Sequence, residues 1–291
     1  MKKNLLLVSS AFLLVISLLL FILLFRNNKQ FNENRAFRDI EKQLSFGPRI
    51  PGSLAHKKTI NYISNNINDN WKVEIDSGTY YNHEITNIIA KNNNNTDDLL
   101  ILGAHYDTRM YADADPLLEN RTNPVLGAND GASGVALLLE LSRVIPKNIE
   151  KNIWLVFFDA EDQGNIPGWD WILGSTYFVN NMQASPKSVI IVDMIGDKDL
   201  NIYKEKNSSI DLTNEIWSIA NEIGYSNYFI PEYKYSMLDD HTPFINAGFK
   251  AINIIDFDYK YWHTIQDDIE NVSPNSLNIV GSTLLEWLIK Y

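Results

Sequence analysis

Five short segments of the chain place acids or histidines at the ends of apolar runs. They read GAHYD at residues 103–107, GAND at 127–130, FDAED at 158–162, VDM at 192–194 and YWHT at 261–264. Imidazoles and carboxylates are donors that hold zinc in proteins, and a spare carboxylate can move protons beside the metal. The pattern therefore predicts one polar site that several strand ends build together.

Three of these residues border or interrupt apolar runs. His105 follows the run at 100–104, and Asp193 interrupts the run at 189–195. Burying an unpaired carboxylate costs several kcal/mol, so Asp193 requires a metal or a hydrogen-bond network. Asp130 precedes a largely apolar segment, where it could cap a helix, point an oxygen at a metal, or do both.

Four further candidates have simple structural alternatives. Glu161 and Asp162 are adjacent acids that repel each other unless a cation is near or one is protonated. Asp239 could merely begin a helix, and His263 could be a loop histidine stacked on its neighbour Trp262. Each alternative is reasonable alone, but one shared site accounts for all of the positions together.

The elements between these segments alternate in type. Apolar runs predict strands at residues 71–75, 85–90, 99–103, 153–158, 189–194 and 251–255. Helices are predicted at 36–44, 132–145, 175–181, 210–223, 243–247 and 276–289, and from Ser53, as the N-cap, to about 68. The alternation predicts a mainly parallel α/β sheet with helices on either side, and ligands bind outside the carboxyl ends of such strands.

Composition narrows the function classes. The chain has 291 residues, 25 basic and 36 acidic, for a formal net charge of −11. This balance argues against nucleic acid as a partner, because binding its backbone requires clustered Lys and Arg. The absence of cysteine excludes disulfides, thiolate ligands and thiol nucleophiles.

The N-terminus predicts membrane attachment. Residues 5–25 are apolar except for serine, which is enough to cross the bilayer as one helix. We therefore expect residues 1–29 to be an uncleaved signal anchor with the start of a tether, and 30–291 to be the catalytic domain. Cleavage is the alternative. Lys2 and Lys3 favour an extracytoplasmic catalytic domain, although basic residues beyond the span oppose that orientation.

The ordered motifs AHYD, GANDGASG, FFDAED, VDMIG, DDHTPF and WHT resemble metallopeptidase family 28, the zinc aminopeptidases and their glutaminyl-cyclase relatives. The resemblance covers roughly residues 37–291. It implies a three-layer α/β/α sandwich with a mixed, mainly parallel central sheet. The resemblance implies that the metal ligands of the two-zinc aminopeptidases correspond by position to His105, Asp130, Asp162, Asp193 and His263. Glu161 matches the general acid/base. Asp162 departs from the glutamate usual at its position, but a carboxylate oxygen still suits zinc.

Three features resemble the glutaminyl-cyclase branch. Asp239 stands where aminopeptidases commonly have serine, Trp262 precedes His263, and the long segment 163–173 carries Trp169 and Trp171. Trp262 with Trp169 or Trp171 would wall a small pocket, and packing of a loop is the alternative. This branch implies a single zinc on the positions of Asp130, Asp162 and His263, with Asp193 as a hydrogen-bonding acid. Asn253, where animal cyclases have histidine, and the aminopeptidase-like sequence DMIG at 193–196 favour the other branch.

We therefore expect a zinc enzyme, with one or two metals, that acts on the N-termini of peptides or proteins. Conversion of N-terminal Gln to pyroglutamate is the first hypothesis, and hydrolysis of the N-terminal residue is the alternative. Both reactions place Glu161 next to the metal, with Asp239 and Asp193 as further catalytic acids. A non-catalytic binding domain is the least favoured class, because Glu161 and the metal ligands are all present.

Overall fold

The computed structural model describes residues 30–92, 94 and 96–291. Phe31–Tyr291 forms one compact unit. The predicted membrane span at residues 5–25 lies outside the described residues, and no helix within them is long and apolar enough to cross a bilayer.

Helices and strands alternate along most of the chain. The helices are α1 (Glu33–Leu44), α2 (Leu54–Asn66), α3 (Ala132–Val144), α4 (Leu173–Asn181), α5 (Ile210–Glu222), α6 (His241–Asn246) and α7 (Pro274–Lys290). The strands are β1 (Lys72–Tyr80), β2 (His83–Lys91), β3 (Leu99–His105), β4 (Asn152–Phe158), β5 (Ser188–Asp193), β6 (Ile202–Lys204), β7 (Phe229–Tyr233) and β8 (Ala251–Ile255). Ser53 caps α2, as predicted, by accepting a hydrogen bond from the backbone N–H of His56 at 3.1 Å.

The main sheet has six strands in the order β1-β2-β4-β3-β5-β8. Strands β4, β3, β5 and β8 run parallel, whereas β2 is antiparallel to both β1 and β4. The predicted mixed, mainly parallel sheet is confirmed. The carboxyl ends of its parallel strands meet at one edge, which is the edge where the candidate residues lie.

Alternating side chains of the strands pack on opposite faces of the sheet. Leu102 and Phe157 belong to the larger core, which includes residues of α1, α3, α5 and α7. Ile101 and Val156 belong to a smaller core with residues of α4 and α6. Helices therefore cover both faces, and the strands between them are buried, which explains their continuous apolar sequence.

Two short strands were not predicted. β6 and β7 pair in parallel as a separate two-stranded sheet. Their sequences, IYK and FIPEY, contain no long apolar run, and most of their residues are partly or fully exposed. Neither apolar periodicity nor burial marks them as strands.

Candidate metal centre

The ends of three neighbouring parallel strands position most of the site. His105 is the last residue of β3 and Asp193 is the last residue of β5, while Glu161 and Asp162 lie just beyond β4. Asp130 lies just before α3 and is 4% exposed. Residues far apart in sequence therefore meet at one edge of the sheet, where α/β proteins bind ligands.

Two groups of side chains have the spacing of metal ligands. His105, Asp130 and Asp193 form one group, and Asp130, Asp162 and His263 form the other, with the ligand atoms of each group within 4.8 Å of one another. All of these residues are buried. The structure thus brings together every predicted metal ligand, although their roles stay a prediction.

Asp130 belongs to both groups, and its two oxygens face opposite histidines. Oδ1 lies 3.0 Å from His105 Nε2, and Oδ2 lies 3.8 Å from His263 Nε2. His105 also lies 3.2 Å from Asp193 Oδ1, and His263 lies 2.8 Å from Asp162 Oδ1. A carboxylate in this position can bridge two ions or orient one.

Gly131 allows the close approach of α3 to β3. A Cβ atom there would lie only 2.5 Å from His105 Nε2, which is too close for two non-bonded atoms. The glycine in the motif GANDGASG is therefore a packing requirement of the site.

The acids of the site are strongly affected by burial. Burial raises the pKa of Asp193 to about 7 and that of Asp162 to about 6, each opposed by a neighbouring histidine. Burial also raises the pKa of Glu161 well above its usual value, with the charge of Asp239 adding to the effect. So many acids in a small buried volume favour a bound cation, which would compensate their charge.

The pKa values of the two histidines are also raised, but by their acidic neighbours and against the effect of burial. Burial opposes protonation of His263, but Asp162 and a hydrogen bond with Asp113 raise its pKa to about 9. Burial likewise opposes protonation of His105, yet hydrogen bonds with Asp107, Asp130 and others raise its pKa well above the usual value. Both imidazoles therefore lie in a field that favours positive charge.

The donor set suits zinc. The Oδ2 atom of Asp162 is buried and has no hydrogen-bond partner among the described residues. Coordination to a metal would satisfy this atom, which is otherwise costly to bury. Two carboxylates and one imidazole leave a coordination position open, as in catalytic rather than closed structural zinc sites.

Buried carboxylates hold the backbone of the loops that carry these ligands. Asp107 accepts hydrogen bonds from the N–H groups of Glu161 at 3.0 Å and Asp162 at 3.3 Å. Asp267 accepts from the N–H groups of Asn129 at 2.8 Å and Asp130 at 3.1 Å. Each ligand loop is therefore fixed by an acid from another segment.

A buried guanidinium completes this support. Arg49 donates to the carbonyl oxygens of Tyr106 at 2.9 Å, Leu126 at 2.8 Å and Gly127 at 2.7 Å. Burial lowers the pKa of Arg49 to about 10, while Asp267 and other nearby acids oppose the change. The Arg49 guanidinium thus links the loop before Asp130 to the end of β3.

The metal-ligand groups open into a cavity of about 210 Å³. Glu161 and Asp239 line it with Trp171 and Trp262, together with apolar side chains from the loops after β5, β7 and β8. Trp169, the other candidate in this segment, is not among the lining residues. Its ring stacks on His83, with centroids 3.6 Å apart, and so it secures the loop rather than the pocket.

Asp239 is held in the cavity wall. Its Oδ2 accepts from Asn253 Nδ2 and its Oδ1 from the Asp240 N–H, both at 2.5 Å. Asn253 lies in β8 and thus links this strand to the Asp239 carboxylate. The neutral amide at this position donates to the carboxylate and cannot itself exchange a proton with it.

The backbone is left-handed at several site residues. Met194 has φ 47° and His263 has φ 53°, and Ala160, just before Glu161, has φ 49°. Such conformations cost non-glycine residues on the order of 1–3 kcal/mol each, and they persist where surrounding structure enforces them. The strain lies next to the ligands and the acid, as expected for a functional site.

Several supporting residues were not assigned a role from sequence. Asp107 belongs to the AHYD motif and Asp267 follows the WHT motif, so their proximity to ligands was a usable signal. Arg49 lies in GPRIPG, which predicts only a turn. Arg109 and Asp113, which lie beyond AHYD, carry no signal in the sequence alone.

Comparison with known proteins places this geometry in context. The family model described as Peptidase family M28 matches residues 87–288. A glutaminyl cyclase from Bacteroides thetaiotaomicron, solved with N-acetylhistamine, is 32% identical with a TM-score of 0.85, covering 91% of this chain and 100% of its own. A Zn-dependent exopeptidase from Parabacteroides distasonis is 30% identical with a TM-score of 0.85, at 91% and 100% coverage.

A curated relative extends the comparison to animals. The glutaminyl-peptide cyclotransferase of Bos taurus is 24% identical over 288 residues, covering 84% of this chain and 78% of the relative. The family match spans most of the folded unit and includes each predicted metal ligand and Glu161. With its zinc-suited acids and histidines at the predicted strand ends, this chain belongs to peptidase family M28.

Proposed function

We propose that this enzyme converts the N-terminal glutamine of peptides or proteins to pyroglutamate with release of ammonia. The observation that carries the proposal is the pairing of two buried acids, Glu161 and Asp239, in one small cavity walled by Trp171 and Trp262. The cavity volume of about 210 Å³ is below the ~300–1,000 Å³ of pockets for drug-sized ligands, so the cavity suits a single amino-acid residue of the substrate. Cyclotransferases among the relatives support the same reaction.

Glu161 provides the proton transfer. In cyclisation the α-amine attacks the side-chain carbonyl carbon, a C–N bond forms, and the side-chain nitrogen leaves as ammonia. Glu161 takes the proton from the attacking amine and returns it to the leaving nitrogen. The raised pKa of Glu161, caused first by burial, suits a group that must both accept and donate near neutral pH.

Asp239 and the indoles position the reacting groups. Asp239, fixed by Asn253, holds negative charge beside Glu161 and so helps it to retain a proton between the two transfers. Trp171 and Trp262 wall the cavity and exclude water, which disfavours hydrolysis. Asp193, which also lines the cavity, can accept a hydrogen bond from the substrate amine.

We propose one zinc ion, held by Asp130, Asp162 and His263. This group contains the unpartnered Oδ2 of Asp162, which favours it over the group around His105. Zinc at that point would polarise the side-chain carbonyl of the substrate as a Lewis acid.

A Gln-initiated peptide tests the function. Incubation should release ammonia and leave a product that has lost only that mass, with the rest of the chain intact. Release of free glutamine would refute cyclisation and establish the aminopeptidase alternative. A peptide with N-terminal Asn is a matched control, because its shorter side chain cannot close the same five-membered ring.

The aminopeptidase alternative rests on a specific feature. The group of His105, Asp130 and Asp193 is also complete, so the structure has ligands for a second metal. Asp130, which belongs to both groups, would help to hold two ions, and a two-metal site would supply an activated water for peptide hydrolysis. Two zinc ions per chain and release of N-terminal residues would support this reading over the first.

We further propose that the apolar segment 5–25 anchors the enzyme to a membrane with the catalytic domain outside the cytoplasm. The support is the length and composition of that segment. Fractionation of cells that express the full chain, followed by protease treatment of intact cells, tests both points. Recovery of the protein in the soluble fraction would contradict the anchor.

A further inference from the structure

Asp113 contacts His263 on the side away from the metal group. It lies in the segment between β3 and α3, and its Oδ1 is 3.2 Å from His263 Nδ1. An imidazole that donates from Nδ1 presents an unprotonated Nε2, and Nε2 is the atom that faces Asp162 and Asp130. Asp113 therefore selects the tautomer in which His263 can bind a metal.

Arg109 fixes the orientation of the Asp113 carboxylate. Its Nε donates to Asp113 Oδ1 at 2.9 Å and its Nη2 donates to Oδ2 at 2.5 Å, a paired contact that sets the plane of the carboxylate. Arg109 is 1% exposed, whereas 46% of the Asp113 side chain is exposed. The buried partner thus immobilises the exposed one.

The same guanidinium reaches the second ligand of the group. Its Nη1 donates to the backbone carbonyl of Asp162 at 3.1 Å and lies 3.7 Å from Asp162 Oδ1. Its Cζ lies 4.8 Å from the ring centroid of Trp171, which lines the cavity. Arg109 is therefore held between the loop of one ligand and the partner of another.

We propose that Arg109 and Asp113 act as one positioning unit that retains the metal by orienting His263 and Asp162. Neither residue lines the cavity. The inference rests on the zinc site of the proposed function but not on the reaction catalysed there. Outer-shell partners of this kind typically change metal affinity by about 10–100-fold.

Zinc affinity, measured by competition with a chromophoric chelator, tests the unit without any activity assay. We expect Asp113→Asn to weaken zinc binding about 10–100-fold, because the amide cannot accept from both Arg109 nitrogens. Glu119→Gln is the matched control, since it removes a negative charge from an exposed side chain of the same segment. It should change the zinc affinity less than about twofold.

Arg109→Lys tests whether the pair acts as a unit. Lysine keeps the charge but lacks the fork that holds both oxygens of Asp113, so zinc affinity should fall by a similar factor. The double variant should then bind zinc no more weakly than the worse single variant, because one broken contact already disables the unit. Losses that multiply would overturn the claim of a unit.

Two measurements separate positioning from general instability. The metal-free variants should melt within a few degrees of the metal-free parent, while the visible spectrum of the cobalt(II)-loaded protein should change in Asp113→Asn and not in Glu119→Gln. Unaltered zinc affinity and cobalt spectrum in Asp113→Asn would refute the proposal. If the parent binds zinc but fails to cyclise glutamine, the proposed function fails and this inference is still decided by the zinc data.

Discussion

Replacement of Glu161 by glutamine should abolish most activity while leaving the metal site intact. Glu161 lines the cavity, is 8% exposed and is not a member of either metal-ligand group. Loss of a general acid/base lowers kcat by about 10²–10⁴-fold, which corresponds to about 3–5 kcal/mol in the barrier. We expect a loss in that range, with KM changed much less.

The fold should tolerate this substitution. Burial raises the pKa of Glu161, so the ionised form is the one that the folded state disfavours. A folded-state pKa above the unfolded value means that stability is lost as the pH rises through it. Glutamine has nearly the same shape and cannot ionise, so metal-free Glu161→Gln should melt at the same temperature as the parent or higher.

Ammonia release from a Gln-initiated peptide measures the activity, and zinc content measured on the same sample verifies the metal. Asp170→Asn is a matched control, because it neutralises an exposed acid in the loop after Glu161. It should retain full activity. Activity of Glu161→Gln within tenfold of the parent, with zinc still bound, would show that another group transfers the proton.

Four further substitutions test the metal set and two other buried acids. Asp162→Asn should lose the zinc that Asp193→Asn retains, as metal analysis of the purified variants would show; equal loss contradicts a single ion. Glu205→Gln should cost about 2 kcal/mol in urea unfolding, because the buried carboxylate accepts hydrogen bonds from the backbone N–H groups of Ser208 and Met237 through different oxygens, and an amide cannot accept both. Burial raises the pKa of Asp256 to about 7, so the parent loses stability as the pH rises through that value. The stability of Asp256→Asn relative to the parent should therefore grow by about 2 kcal/mol from pH 5 to 8, and a constant difference is the contrary result.

The elements that carry the site were predictable because they are buried on both faces. Strands such as β3 and β5 consist of continuous apolar residues, and their polar ends follow directly. The strands β6 and β7 were missed because their pairing depends on contacts with distant residues rather than on local sequence. Ile202 shows this, since it pairs with Phe229, which lies beyond α5 in the chain.

The proximity of the predicted metal ligands could be inferred in the same way, but the residues that support them could not. His263 and Asp162 occur in recognisable motifs, whereas Asp113 and Arg109 occur in an irregular segment. The contact of Asp113 with His263 joins positions 150 residues apart along the chain. Trp169 and Trp171 are equivalent in sequence, and only packing shows that Trp171 lines the cavity while Trp169 stacks on His83.

The support contacts have a common form that explains how loops achieve the precision of a metal site. Asp107 accepts a hydrogen bond from the backbone N–H group of Asp162, and Asp267 accepts one from the backbone N–H group of Asp130. These acids therefore hold the backbone of the loops that carry the candidate ligands. A carboxylate that accepts from successive N–H groups fixes the backbone as a strand or helix would, but with fewer residues. The edge of the sheet sets the approximate position of the ligand loops, and these acids fix the backbone of the loops in place. Because each acid comes from a different segment than the ligand it holds, the metal site depends on the completed tertiary fold.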